Sequence, residues 1–131
     1  MKRDQAFDDR SVDIAAFRSA AQRFPEMQSR FALLLYARVD GDATRLRARM
    51  FAPLSGILED PATGSANAAL AALLTSLAPG ENVDLHYEIE QGVEMGRPSF
   101  IHLHMDIEAG AISNARIGGQ AVRLATGVLD L

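Results

Sequence analysis

The stretch Ser65-Ala-Asn-Ala-Ala-Leu-Ala-Ala-Leu-Leu-Thr-Ser-Leu-Ala78 decides the fold. It is rich in the best helix formers, and Pro79-Gly80 supplies a stop, so it reads as a helix. Its apolar residues fall on nearly every side rather than along one stripe. A helix of that kind is expected to be buried all round, and at about 1.5 Å per residue it is about 20 Å long, the span of a small domain. The strands beside it should therefore wrap it as a curved sheet.

Those strands can be read on both sides of the helix. Upstream, Phe31-Ala-Leu-Leu-Leu-Tyr-Ala-Arg-Val39 is short and almost continuously apolar, which predicts a strand covered on both faces. Gly41-Asp42 turns the chain. From Thr44 to Phe51 the pattern alternates, with Leu46, Ala48 and Met50 on one side and Arg45, Arg47 and Arg49 on the other; the arginines read as a solvated outer row rather than an anion site. Downstream, Val83, Leu85, Tyr87 and Ile89 face inward while Asp84, His86, Glu88 and Glu90 face outward. A turn over residues 92–98 then leads into Ile101, Leu103, Met105 and Ile107, alternating with His102, His104 and Asp106, so the two segments form a long hairpin. Gly110 turns into a strand over Ala111 to Ile117, and Gly118-Gly119 turns again before a last extended run, Gln120 to Leu129. The count is six or seven strands and two helices, an α+β fold with a mostly antiparallel sheet.

The other helix lies near the N-terminus. Val12, Ala16, Phe17, Ala20 and Phe24 recur at helical spacing, Ser11 is placed to cap them and Pro25 to stop them. This divides the chain into an arm with an amphipathic surface helix over 1–29 and one domain over 30–131.

Composition narrows the function. The 131 residues are 48% apolar and carry a net charge of −4, and there is no cysteine. Thiol nucleophiles, disulfides and Cys-based metal sites are excluded. The acidic balance argues against nucleic acid and anionic membrane as partners, and no apolar run approaches the roughly 20 residues that span a bilayer. The polar start lacks the apolar core of a secretory signal, so the expected location is the cytoplasm.

The densest chemistry lies at Glu59-Asp60-Pro61-Ala62-Thr63-Gly64-Ser65-Ala66, where an extended segment enters the helix. Thr63 or Ser65 can cap the helix, Gly64 permits close approach, and the free N–H groups of the first turn, with the positive end of the helix dipole, form a carboxylate- or phosphate-binding terminus. Asp60, held by Pro61, stands where it could take and return a proton beside a docked carboxylate. The same residues also read as an ordinary turn and cap, and spacing alone leaves both readings open. Gln91, Gly92, Gly96, Arg97, Pro98 and Ser99 read as the hairpin connection. The histidines offer a rival chemistry: His86 falls across from His104 with His102 two residues along the same outward face, a pattern that Zn²⁺ or Fe²⁺ could use, although outward polar rows commonly contain His and our reading assigns no metal.

Three motifs occur in succession: Met50-Phe-Ala-Pro-Leu-Ser-Gly-Ile-Leu-Glu-Asp-Pro-Ala-Thr-Gly-Ser-Ala66, Glu90-Gln-Gly-Val-Glu-Met-Gly-Arg-Pro-Ser99 and Ile117-Gly-Gly-Gln-Ala-Val122. In that order they resemble the PhzF-like proteins of phenazine biosynthesis, over essentially everything from Phe31 onward. The resemblance implies the diaminopimelate-epimerase-like fold, in which two similar halves each wrap a curved sheet around a central helix and face one another across the active-site cleft. It implies cofactor-independent proton transfer, by an isomerase or epimerase, on a small carboxylate-bearing substrate. It places Asp60 facing that substrate as a proton-transfer or substrate-orienting carboxylate, with Gly64, Ser65 and Ala66 binding the substrate carboxylate and Glu59, Thr63, Arg97 and Ser99 around them. The family's principal acid–base glutamate and its assisting histidine belong to the N-terminal half, and this sequence resembles the C-terminal half. A half with an open cleft face is expected to find a partner, either a second copy in a homodimer or a separate N-terminal half; the alternative is a binding or assembly module without turnover, or an inactive remnant of a split PhzF-like enzyme.

Overall fold

The computed structural model describes residues 12–27, 30–77 and 83–130. Helix α1 spans Ile14–Ala21 and is capped by Asp13, whose Oδ1 accepts from the N–H groups of Ala15 at 2.9 Å and Ala16 at 3.1 Å. The expected cap, Ser11, lies outside the described residues. The helix also ends before Pro25, because a turn with Phe24 N–H donating to the Ala21 carbonyl takes over. No residue of α1 is buried, and Phe17 and Phe24 instead pack on the Phe31 ring at 6.0 and 5.8 Å between centroids. It is the surface helix that its pattern predicts.

Six strands follow: β1 (Leu33–Arg38), β2 (Arg45–Ala52), β3 (Ile57–Asp60), β4 (Val83–Gln91), β5 (Ser99–Glu108) and β6 (Ala111–Gly119), with helix α2 (Gly64–Ser76) between β3 and β4. They form one mixed sheet in the order β1-β2-β4-β5-β6, with β3 also paired to β2. All pairings are antiparallel except β2 with β4. The β4–β5 hairpin has the register read from its alternation, with His86 opposite His104 and Ile89 opposite Ile101.

The arrangement around β2 positions the site. Its outer edge pairs with β1 over Leu46–Phe51. Its other edge is shared: Arg45–Ala48 pair with β4, and Met50 and Ala52 pair with β3. The sheet thus forks where β4 ends at Gln91 and β3 ends at Asp60, and α2 begins at that fork.

Helix α2 lies against β4, β5 and β6. Leu70 and Ala71 join Leu46, Ala48, Tyr87, Ile89, Ile101, Leu103 and Met105 in the core, and the Thr75 hydroxyl lies 3.1 Å from the Tyr87 hydroxyl. Each fully buried large apolar side chain contributes about 1.5–3 kcal/mol. All-round burial of α2 is not observed. Its buried residues Asn67, Leu70, Ala71 and Thr75 form one stripe, while Leu73 is 56% and Leu77 73% exposed. The sheet covers one side of the helix, and its curvature does not close over the other.

Three further expectations are corrected. Strand β1 is not covered on both faces, since as the sheet edge it has no buried residue, and Leu33 and Tyr36 are exposed. The arginine row of β2 is not solvated throughout, because Arg49 is buried among carboxylates described below. Residues 120–130, expected as an extended run, have no regular structure and leave Val122, Leu124, Val128 and Leu129 exposed.

Candidate functional site

The fork brings Asp60, Thr63, Asn67 and Gln91 together. Gln91 is fully buried at the inward phase of β4 and uses both ends of its amide. Its Nε2 donates to the Asp60 carbonyl at 2.5 Å and to Thr63 Oγ1 at 3.0 Å, and its Oε1 accepts from the Thr63 N–H at 3.3 Å and from Asn67 Nδ2 at 2.6 Å. Asn67 Nδ2 also donates to the Thr63 carbonyl at 2.9 Å. Since both neighbours of that nitrogen are acceptors, the Asn67 amide has a unique orientation.

This network fixes the backbone from Asp60 to the start of α2, and the Thr63 side chain shows what that achieves. Thr63 occupies the N-cap position but makes no cap hydrogen bond. Its hydroxyl donates instead to Asp60 Oδ2 at 2.5 Å, a short charge-assisted bond, while accepting from Gln91. Gln91, Thr63 and Asp60 thereby form a directed relay that ends on the carboxylate. The N–H groups of Gly64, Ser65 and Ala66 are left without a side-chain cap among the described residues, and they point out of the helix beside Asp60. The positive end of the helix and an oriented carboxylate therefore share one location.

Two glycines allow the approach. Gly92 has φ of +81°, and a Cβ there would lie 2.8 Å from the Pro61 carbonyl oxygen and overlap the Arg97 carbonyl, so the 92–97 turn can press on the Asp60–Pro61 segment only with glycine. At Gly64 a Cβ would lie 3.2 Å from Ile117 Cδ1, which places β6 over the helix start. The three sequence motifs, far apart in the chain, thus meet within the span Asp60–Gly64.

The surrounding residues act differently from one another. Glu59 points to the other face of β3, where Arg49 Nε and Nη2 donate to its two carboxylate oxygens at 2.8 and 2.9 Å. Glu94 joins them, 2.9 Å from Arg47 and 3.8 Å from Arg49, and the Arg49 guanidinium lies over the Phe51 ring. These ions clamp the 92–97 turn to β2. Arg97 has an exposed side chain, and its N–H closes the turn on the Gly92 carbonyl at 2.9 Å. Ser99 pairs with Gln91 across β4–β5, and its hydroxyl reaches the Arg97 carbonyl at 3.5 Å. The structure brings neither side chain into the Asp60 network.

Gln91, read above as part of the hairpin connection, is instead the last residue of β4, paired with Ser99; neither it nor Asn67 stands out in the sequence as a site residue, yet both carry a signal. Gln91 continues the inward series Leu85, Tyr87, Ile89 with a polar side chain, and Asn67 is the amide in a helix of alanine and leucine. A polar group at an apolar phase requires buried partners.

The sequence model of the phenazine biosynthesis-like protein family (PhzC-PhzF) matches residues 5–127. The chain belongs to this family. Among its relatives is an uncharacterized isomerase of Mesorhizobium japonicum, 49% identical over 82 residues, which are 62% of this chain and 27% of that protein. A trans-2,3-dihydro-3-hydroxyanthranilate isomerase of Pseudomonas chlororaphis is 37% identical over 93 residues, 70% of this chain and 32% of the relative. An uncharacterized isomerase of Deinococcus radiodurans is 38% identical over 89 residues, 66% of this chain and 29% of the relative. The match thus spans a third or less of these curated family members. No helix among the described residues is long and apolar enough to cross a membrane.

Proposed function

We propose that the chain serves cofactor-independent proton transfer on a small carboxylate-bearing substrate, as a PhzF-like isomerase or epimerase lobe. One observation carries this reading: the Asp60 carboxylate, held at 2.5 Å by Thr63, stands beside the uncapped N–H groups of Gly64, Ser65 and Ala66. In this reading those N–H groups take the substrate carboxylate and Asp60 exchanges a proton with the neighbouring carbon. Thr63 and Gln91 act as positioning residues, through Asp60. The names of the relatives favour a substrate of the dihydro-hydroxyanthranilate class.

A second lobe completes the cleft in this proposal, contributed by a second copy of the chain or by a separate N-terminal half. Support comes from the apolar side chains left in solvent: Leu73 on α2 and Leu77 at its C-cap, Ile117 on β6, and Val122 and Leu124 beyond it. An accumulation of such groups is characteristic of an interaction surface. Light scattering at micromolar concentration should report a dimer, and a monomer would remove the homodimer.

The test of the chemistry is solvent deuterium incorporation into a panel of amino and hydroxy carboxylic acids that includes trans-2,3-dihydro-3-hydroxyanthranilate. Exchange by the wild type that is abolished in Asp60→Asn supports the reading, and exchange surviving that change removes Asp60 from the mechanism. The alternative, an anion-binding module without turnover, is favoured by the same Thr63 bond, because it occupies one oxygen of Asp60. That reading predicts ligand binding with no exchange.

A further inference from the structure

The outward face of the β4–β5 hairpin carries a second cluster, on the side of the sheet away from α2. Asp84 is directly opposite Asp106 and His86 directly opposite His104, so four potential ligands occupy neighbouring positions on one face. Directly opposed side chains in an antiparallel pair start about 4.5–5.5 Å apart at Cβ, close enough to share an ion. Here the side chains turn toward each other. The His86 and His104 rings have centroids 3.9 Å apart, and Asp84 Oδ1 lies 3.4 Å from His86 Nε2 and 2.5 Å from His104 Nε2.

The nitrogen at the centre of this cluster is poorly served. His104 Nε2 is shielded from solvent, and despite carboxylate oxygens of Asp84 at 2.5 Å and Asp106 at 3.0 Å it makes no hydrogen bond of acceptable geometry. Asp106 cannot turn to improve this, because Asn114 Nδ2 and both terminal nitrogens of Arg116 hold its carboxylate, each at 3.1 Å. Asp84 has no such restraint among the contacts described and is 61% exposed. One donor atom each from Asp84, His86 and His104 lies within 4.8 Å of the others. Metal–ligand bonds of about 2.0–2.2 Å in a tetrahedron set donors about 3.3–3.6 Å apart, so small rotamer changes suffice to close the cluster on one ion.

We propose that Asp84, His86 and His104 form a binding site for a divalent transition cation of the Zn²⁺ class, separate from the Asp60 site. Two imidazoles and a carboxylate are donors suited to Zn²⁺, Co²⁺ or Ni²⁺ rather than to Ca²⁺ or Mg²⁺. Asp106, locked by Asn114 and Arg116, adds negative charge beside the same nitrogen of His104. His86 and His104 also line an open groove of about 630 Å³, with Arg45, Glu88, His102 and Arg116 around it. The site differs from the trio of histidines suggested by the sequence. His102 is opposite Glu88, two pairs further along the hairpin, and is not part of the donor set.

The test uses the full chain, purified without a polyhistidine tag and stripped with EDTA. Titration with Zn²⁺ by calorimetry, and with Co²⁺ by visible absorption, should show one ion per chain with a micromolar Kd and a Co²⁺ spectrum of tetrahedral intensity. His86→Ala and His104→Ala should each weaken binding about tenfold or more, and Asp84→Asn measurably, while His102→Ala stays within about twofold. His86 is 67% exposed, so its variant retains the fold and keeps the test decisive. Zn²⁺ binding weaker than millimolar, binding indifferent to His86→Ala, or an equal loss in His102→Ala would each overturn the proposal. Asp60→Asn should bind Zn²⁺ normally, which keeps this result independent of the proton-transfer reading.

Discussion

Replacing Gln91 by alanine tests whether the fork of the sheet is held by one side chain. Gln91 is fully buried and makes four hydrogen bonds, to the Asp60 carbonyl, Thr63 Oγ1, the Thr63 N–H and Asn67 Nδ2. At about 1 kcal/mol net for each, their loss amounts to about 4 kcal/mol, to which the buried groups left without partners and the cavity add. That is a large fraction of the about 5–15 kcal/mol that stabilises a typical domain. Urea denaturation followed by circular dichroism should show it directly, and Tm should fall by about 10–20 °C. Gln91→Glu separates geometry from bulk. It keeps the acceptor facing Thr63 and Asn67, but its carboxyl must carry a proton to donate to Asp60 or to the Thr63 hydroxyl. Its folded pKa is then raised, so this variant is most stable below the ordinary carboxylate range and loses stability as pH rises through the raised value. A loss under about 1 kcal/mol in Gln91→Ala at unchanged m-value would refute the argument that this amide holds the site together.

Gly92→Ala should destabilise by about 2–4 kcal/mol by the same assay, because it combines a φ of +81° with a Cβ 2.8 Å from the Pro61 carbonyl oxygen; a change below 1 kcal/mol would mean that the 92–97 turn is free to move. Arg49→Met leaves the Glu59 carboxyl group, only 14% exposed, without its arginine partner, with an expected loss of about 3–5 kcal/mol, whereas adding Glu59→Gln to Arg49→Met should recover most of it; additive losses in that cycle would contradict the pairing. The Asp42 carboxylate accepts from the Thr44 N–H and hydroxyl, which together with nearby Arg45 hold its pKa below the usual carboxylate value. Its stabilisation is therefore complete above the ordinary range and is lost only as pH falls through the depressed value; Thr44→Val should move the Asp42 midpoint upward in a carboxyl-carbon NMR titration, and an unmoved midpoint would assign the effect to the backbone alone.

Much of the fold was readable because it follows from local periodicity. Period-two alternation in 83–91 and 99–108 determines which residues face the core, and with the seven-residue turn 92–98 between them the His86–His104 pairing follows. The Ala/Leu composition of 65–76 determines a helix, and Asp-Pro-x-Thr-Gly-Ser determines a turn into its start. What remained out of reach were contacts between segments distant in the chain. Alternation states that Arg45, Arg47 and Arg49 share a side of β2, but not that Glu59 and Glu94 arrive there, so a row expected in water is partly a buried ion network. Helix composition likewise states that α2 is apolar all round, whereas the reach of the sheet decides that Leu73 and Leu77 stay in solvent. The candidate site shows the same division. Asp60 and the helix start were legible because they are adjacent in sequence. Their orientation depends on Gln91, about thirty residues away, and on the parallel pairing of β2 with β4 that ends β4 beside the end of β3. Sequence by itself determined the elements and the chemical groups, because backbone preference and side-chain phase are local; the tertiary structure alone decided which groups meet, because pairing across the sheet is not.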